Sequence, residues 1–424
     1  MISITKTPLQ KFLLFLTIAV SVLLQYPQPE LDLGYYTSLA SDHVNGNNFD
    51  DISSAFPLRG VKIVITGATS GLGLDLTKML YNLGGTMIVI GRSKSKLSTM
   101  IDQLKSQDIS DDNRGDGKHS DSKRIVPILA DLQDLDDVSS AAAQIKSKFK
   151  SIDYLINNAG LTNGASTEMP TPHGHDMVFG VNYLSHFLLT EKLLPMLKKS
   201  KLKNGARVVQ IASTAHFFVD GEDLIPSASS SSPWASQHSN GSILHRTRAY
   251  ANSKLAQIYH TRSLARDLRK SQSNVNIVAI CPTWVATHIG GEMMKFFLDI
   301  FAFRSDGFGL APILFAMFHP DVGKKAAQGT INGDDSGKEL YNDFVTNINI
   351  LEGNWLALNE FIISMMPIPY LREVYCGTLG GVFIMAVQKL FANVNFRPTT
   401  SEGYDVEKQD ALYKWSKETI AQWL

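Results

Sequence analysis

Val61-Lys62-Ile63-Val64-Ile65-Thr66-Gly67-Ala68-Thr69-Ser70-Gly71-Leu72-Gly73 decides the fold: a β-branched run drops directly into a glycine-rich turn, and a helical pattern follows from Leu74. Glycines at such a turn let the backbone approach a phosphate, whose charge then meets the free N–H groups and positive end of the next helix. The spacing is Gly-x-x-x-Gly-x-Gly, so it matches neither the Gly-x-Gly-x-x-Gly dinucleotide fingerprint nor a phosphate loop ending in Gly-Lys-Ser/Thr. Taken alone, the turn is also a serviceable tight connection between a strand and a helix.

Working outward, five further apolar runs alternate with helical patterns: Thr86 to Ile90, Ile125 to Ala130, Tyr154 to Asn157, Arg207 to Ala212 and Val275 to Cys281. That alternation specifies an α/β chain whose parallel sheet is covered on both faces. Such sheets bind ligands beyond the carboxyl ends of their strands, where the topology reverses. The second run ends in Gly91-Arg92, with no Asp or Glu between Gly84 and Leu97. Arg92 suits a ribose 2′-phosphate, which predicts NADP(H) over NAD(H); with Lys94 and Lys96 it also reads as a solvated helix start. Asp131, after the third run, suits an adenine amino group or an ordinary cap.

Tyr250 and Lys254 stand four residues apart among Leu255, Ile258, Tyr259, Leu264 and Leu268, which carry helical spacing, so both side chains share a face. An adjacent ammonium and a positively charged nicotinamide would both favour the phenolate, making Tyr250 an acid/base candidate. The pair in isolation is common by chance and fits a structural role as well. Ser213, ending the fifth run, places a hydroxyl where a carbonyl oxygen gains charge during hydride transfer. Asn182 falls in a long helix predicted from about Asp176 to Lys199, where a bound water could join Lys254 to solvent. There is no Gly-x-Ser-x-Gly elbow for a hydrolase. His173 and His175 lack a third spaced ligand, so no metal is expected.

These pieces together resemble the short-chain dehydrogenase/reductase family. Thr66 to Gly73, Asp131-Leu132, Asn157-Asn158-Ala159-Gly160, Asn182, Ser213, Tyr250 with Lys254, and Pro282 with Thr287 occur in the family's order over residues 60 to 290. The resemblance implies a Rossmann-type doubly wound fold with a C-terminal substrate or lid extension. It makes Tyr250 the proton donor or acceptor, Lys254 the ribose holder that lowers the tyrosine's pKa, Ser213 the stabiliser of the reacting oxygen and Asn182 a support of the proton relay. For the cofactor it implies Gly67, Thr69, Ser70, Gly71, Leu72, Gly73, Arg92, Asp131 and Leu132 around the nucleotide. Asn158, Ala159 and Gly160 would form the wall, with Pro282, Val285 and Thr287 at the nicotinamide. Val181-Asn182-Tyr183-Leu184-Ser185-His186-Phe187, Ala212 to His216 and Ser253 to Ala256 are similar to the retinol dehydrogenase group, which implies a lipophilic alcohol or carbonyl substrate of retinoid or steroid type. Thr283, in place of the glycine usual after Pro282, departs from the pattern. A catalytically idle, nucleotide-binding scaffold or sensor is the rival reading, against which the four intact catalytic positions stand.

The 424 residues carry 40 Lys plus Arg against 40 Asp plus Glu, so no electrostatic case for nucleic acid exists. A 44% hydrophobic content sustains a core, and two cysteines, Cys281 and Cys376, exclude a disulfide framework. Phe12 to Pro29 is free of charge and reads as an uncleaved signal-anchor, with a removed signal or transit peptide as the other readings; membrane association is expected, at the endoplasmic reticulum above other membranes. Residues 25 to 55 read as a tether, making 1 to 55 an anchor segment and 56 to 424 the folded body. Ser106 to Lys123 and Ser227 to Ser242 read as polar loops. Residues 291 to 400 read as an enlarged lid or substrate region, within which Phe296 to Phe318 is a greasy lid, a lipid-facing surface or plain core. Glu407 to Leu424 closes the chain as an amphipathic helix. A homodimer through Asp176 to Lys199 and Ala249 to Lys270 is a further implication of the resemblance.

Overall fold

A computed structural model describes residues 30–44, 56–107, 124–162, 169–224, 243–282, 285, 307–324, 344–346, 395–396 and 404–424. The charge-free stretch from Phe12 to Pro29, the Ser227 to Ser242 loop, Thr287 and most of 291 to 400 lie outside them.

The elements follow in order as α1 Leu33–Val44, β1 Lys62–Thr66, α2 Gly71–Asn82, β2 Thr86–Gly91, α3 Lys94–Gln107, β3 Ile125–Leu129, α4 Leu135–Lys148 and β4 Tyr154–Asn157. A short turn Met177–Phe179 and a π-helical turn Gly180–Leu184 then lead into α5 Ser185–Leu197, β5 Ala206–Ile211, α6 Ile243–Lys270, β6 Val275–Cys281 and α7 Ala311–Phe318. Short strands β7 Phe344–Thr346 and β8 Asn395–Phe396 and the helix α8 Val406–Thr419 complete the chain. The sheet order is β3-β2-β1-β4-β5-β6-β7-β8, and all neighbours are parallel except β7 with β8. The order reverses between β1 and β4, so the glycine turn after β1 and Asn158 after β4 flank the switch point.

The apolar runs split by alternation. Ile63, Ile65, Met87, Val89, Tyr154 and Ile156 face the layer of α1, α2, α3 and α7. Val64, Ile88, Ile90 and Leu155 face α4, α5, α6 and α8. Strands β1, β2, β4, β5 and β6 are buried on both sides, as a parallel sheet under helices requires.

The structure adds to, refines or settles three sequence expectations. Part of the tether is the helix α1, because Tyr36, Ala40, His43 and Val44 recur at helical spacing and bury against the body. The helix expected from Asp176 to Lys199 runs from Met177 to Leu197 and carries within it a π-turn at Gly180–Leu184, which holds Asn182. Ala311–Phe318 is core, with every residue buried, and Arg207, itself wholly buried, donates from Nη1 to the Ala316 carbonyl at 2.8 Å. α8 lies on α5 and α6: Leu412 and Ile420 are fully buried, Tyr183 Oη meets Ser416 Oγ at 2.7 Å, and Lys417 pairs with Glu191. The chain itself therefore covers part of the two helices expected to form a homodimer. Among the described residues, no helix is long and apolar enough to cross a membrane.

Candidate active site

The nucleotide turn is fixed by close packing that only glycine permits. Gly67 takes φ +68, and a Cβ there would stand 2.9 Å from Ala159 Cα; at Gly73 it would stand 2.3 Å from the Gly67 oxygen. Asn158 Nδ2 donates to the Thr66 carbonyl at 2.9 Å, so the turn and the wall beyond β4 are one unit. Ser70 precedes α2 without making a side-chain cap, which leaves the first amides of a twelve-residue helix to a ligand. Leu72 is buried beneath, and Thr69 packs 3.5 Å from the position a Cβ on Gly91 would take. Arg92 is exposed at that edge, one residue past β2. Asp131 is engaged with its own loop, accepting from Gln133 N at 3.2 Å and Gln133 Nε2 at 3.0 Å, while the neighbouring Leu132 is buried. Both carboxylate oxygens keep acceptor capacity. Pro282 follows β6 and Val285 is buried in the α7 layer.

At the carboxyl ends of β5 and β6, three side chains converge. Ser213 ends the segment after β5 and its Oγ accepts from Ala215 N at 3.2 Å; its hydroxyl acts on the Tyr250 phenol, favouring the phenolate. Lys254 is buried, donates to the Ile211 carbonyl at 2.7 Å and lies 5.4 Å from the Tyr250 ring centre. Burial pushes the phenol up to about 12, against the pull of the Ser213 hydrogen bond and with a smaller upward push from Cys281. Burial pushes Lys254 down to about 7, with Cys281 acting the other way. The sequence expectation that the ammonium brings the phenol towards neutral pH thus does not describe the protein alone, where desolvation dominates both groups.

Asn182 is fully buried and well committed: Oδ1 accepts from Leu161 N at 2.7 Å, and Nδ2 donates to the Leu161 carbonyl and Ser253 Oγ, both at 3.0 Å. Gly160 lies between Asn182 and Lys254: a Cβ there would sit 3.6 Å from Asn182 Oδ1 and 3.8 Å from Lys254 Nζ. Sequence reasoning passed over Thr66, His186, Gln257 and Cys281. All four lie inside or beside the motifs it quoted, but their spacing carries no signal of contact. The segment after Ser213 is pinned by Asp223, which accepts from Arg248 Nε at 2.5 Å and Asn252 Nδ2 at 3.0 Å. On its other side, Lys408 of α8 reaches Glu222 at 2.6 Å.

His173, where no metal is expected, meets Asp134 Oδ1 at 3.0 Å and lies near Asp136, which accepts from Trp423 Nε1 at 2.7 Å. The side-chain atoms of Asp134, Asp136 and His173 lie within 4.8 Å of one another, with only Asp136 exposed, in a clasp on the carboxyl terminus.

A glycine turn at the switch point of a doubly wound sheet defines a dinucleotide-binding α/β protein. The sequence profile of the short chain dehydrogenases matches residues 61–223. Polyprenol dehydrogenase of Homo sapiens is 28% identical over 280 residues, covering 64% of this chain and 77% of that one. Retinol dehydrogenase 14 of Mus musculus is 33% identical over 235 residues, 55% of this chain and 64% of the mouse protein. A short-chain dehydrogenase/reductase of Phomopsis amygdali is 31% identical over 254 residues, 57% of this chain and 68% of that one. The chain belongs to the short-chain dehydrogenase/reductase family.

Proposed function

We propose that this protein is an NADP(H)-dependent oxidoreductase that interconverts a lipophilic alcohol and its aldehyde or ketone at a membrane, held there by the segment before Pro29. Gly67 to Gly73 and Asn158 to Gly160 would hold the pyrophosphate and the cofactor wall, and Arg92 the 2′-phosphate. The residues fit such a group: the turn is shaped by glycines, the α2 amides are uncapped, and a buried lysine stands between this wall and a tyrosine. The bound nicotinamide supplies or accepts the hydride.

In the oxidative direction Tyr250 takes the hydroxyl proton as the hydride leaves the carbinol carbon; in reduction it returns that proton to the carbonyl oxygen. Ser213 donates to that oxygen as it gains charge. Lys254 holds the ribose and, as a cation, favours the phenolate; Asn182 keeps the turn of Leu161 and the Ser253 end of α6 in place beside it. Relatives named for polyprenol and retinol, both lipophilic alcohols, support the substrate class.

The observation that carries the reading is buried Lys254, held on the Ile211 carbonyl two residues before Ser213 and 5.4 Å from the Tyr250 ring, at the carboxyl end of the sheet that also carries the glycine turn. Purified protein given NADPH and a panel of retinoid, steroid and aliphatic carbonyls tests it. Turnover on a lipophilic member, lost in Tyr250→Phe, is expected. NADPH binding with no turnover on any of them, or activity that survives Tyr250→Phe, contradicts it.

A further inference from the structure

Between the nucleotide turn and the catalytic helix runs a buried chain of hydrogen bonds that the proposed chemistry does not use. Thr66 Oγ1, at the end of β1, accepts from the main-chain N–H groups of Asn158 and Ala159, each at 3.0 Å, and lies 2.9 Å from His186 Nε2. The other ring nitrogen, Nδ1, is 3.0 Å from the Asn182 carbonyl. A carbonyl only accepts, so Nδ1 carries the proton; Nε2 is then the acceptor, and the Thr66 hydroxyl donates to it. Gln257 Nε2, from α6, donates to the same carbonyl at 2.9 Å.

Thr66, His186 and Asn182 are all fully buried. The ring is neutral, since burial pushes it down to about 4, so the chain keeps one set of donors across the neutral range. An apolar side chain would fill this place in α5 without any desolvation cost, whereas a histidine here is tolerable because both its nitrogens are met. The two ends it joins are functional in the reading above. One is the turn and wall that meet the dinucleotide; the other is the π-turn whose asparagine sits across Gly160 from Lys254.

We propose that His186 is a positioning residue that locks the cofactor-holding turn and wall to the π-turn carrying Asn182, so that seating the dinucleotide and setting the register of the catalytic helix are one event. The inference rests on the nicotinamide-dependent reading.

The test is a set of NADPH dissociation constants from protein-fluorescence titration for wild type, His186→Leu, Thr66→Val, the double variant and His186→Gln, each with its Tm. Each single change is expected to weaken NADPH binding by about fivefold, the scale of one hydrogen bond. The double variant should bind no worse than the weaker single one, because both changes break the same chain. His186→Gln keeps an N–H for the Asn182 carbonyl and should recover part of the binding. Additive losses in the double variant, or a lowered Tm in His186→Leu with NADPH affinity unchanged, overturn the proposal. Should His186→Leu not fold, His186→Gln with Thr66→Val and their double carry the same comparison, additive losses again overturning it. Wild-type protein that binds neither NADPH nor NADH sinks the nicotinamide reading and this inference with it; binding by wild type with additive variants sinks only the coupling.

Discussion

Lys254 is an expensive residue for this fold to keep. An unfolded lysine titrates near 10.5 and the folded one near 7, so between those values the unfolded chain holds the extra proton and stability rises with pH. Below about 7 both forms are charged and the cost of burial is full. Lys254→Met should therefore abolish turnover and raise Tm at pH 7, with the gap over wild type closing as pH approaches 10.5; thermal melts across that range check it. Arg92 gives a separate test: Arg92→Leu should weaken NADPH binding tenfold or more, the size of a charged hydrogen bond, and leave NADH unchanged. A matching loss for both cofactors in fluorescence titrations would remove the 2′-phosphate assignment. At this scale the sequence was most informative about identities. Tyr250, Lys254, Ser213 and the glycines were visible because a motif fixes residue types at fixed spacings. The charge states of Tyr250 and Lys254 were not, since desolvation belongs to the packed site and leaves no trace in spacing.

Among the elements, α1 was harder to read than the chain's centre, whereas α8 matches the closing helix expected from Glu407. The strands announce themselves as continuous apolar runs because both sides are covered, but α1 buries a narrow stripe within Pro- and Asn-rich surroundings. Ala40 is fully buried in the α7 layer, so Ala40→Glu should undock α1 and lower Tm by several degrees. At the other end, Leu412 is fully buried in the layer that α8 shares with α5 and α6, and Leu412→Ala should cost about 2–5 kcal/mol in denaturant melts. A cost near zero would mean that α8 does not rest there. The π-turn at Asn182 also escaped the sequence, because its side chains keep nearly helical spacing and only the hydrogen bonds are redrawn.

For the whole molecule, the response to acid draws on five histidines that are buried among the described residues. Burial holds His175, His186 and His216 near 4 and His43 and His260 near 3, all below the ordinary 6.5. As pH falls through 6.5 the unfolded chain takes up protons that the folded chain refuses until about 4, so stability drops through that window. Tm measured from pH 7 down to 4.5 should fall steeply; a flat profile would mean these rings are solvated. The doubly wound architecture was legible in six apolar runs, whereas the short β7 and β8 were not, having too few residues to form a pattern. The central claim is that Tyr250, Lys254 and Ser213 converge beside a nicotinamide seated over the glycine turn. A crystal structure with NADP+ tests it most directly. The account predicts the pyrophosphate on the amides of Gly71 to Gly73, the ribose on Lys254 and the nicotinamide facing the Tyr250 hydroxyl. A dinucleotide bound elsewhere, or a nicotinamide turned away from Tyr250, would contradict it.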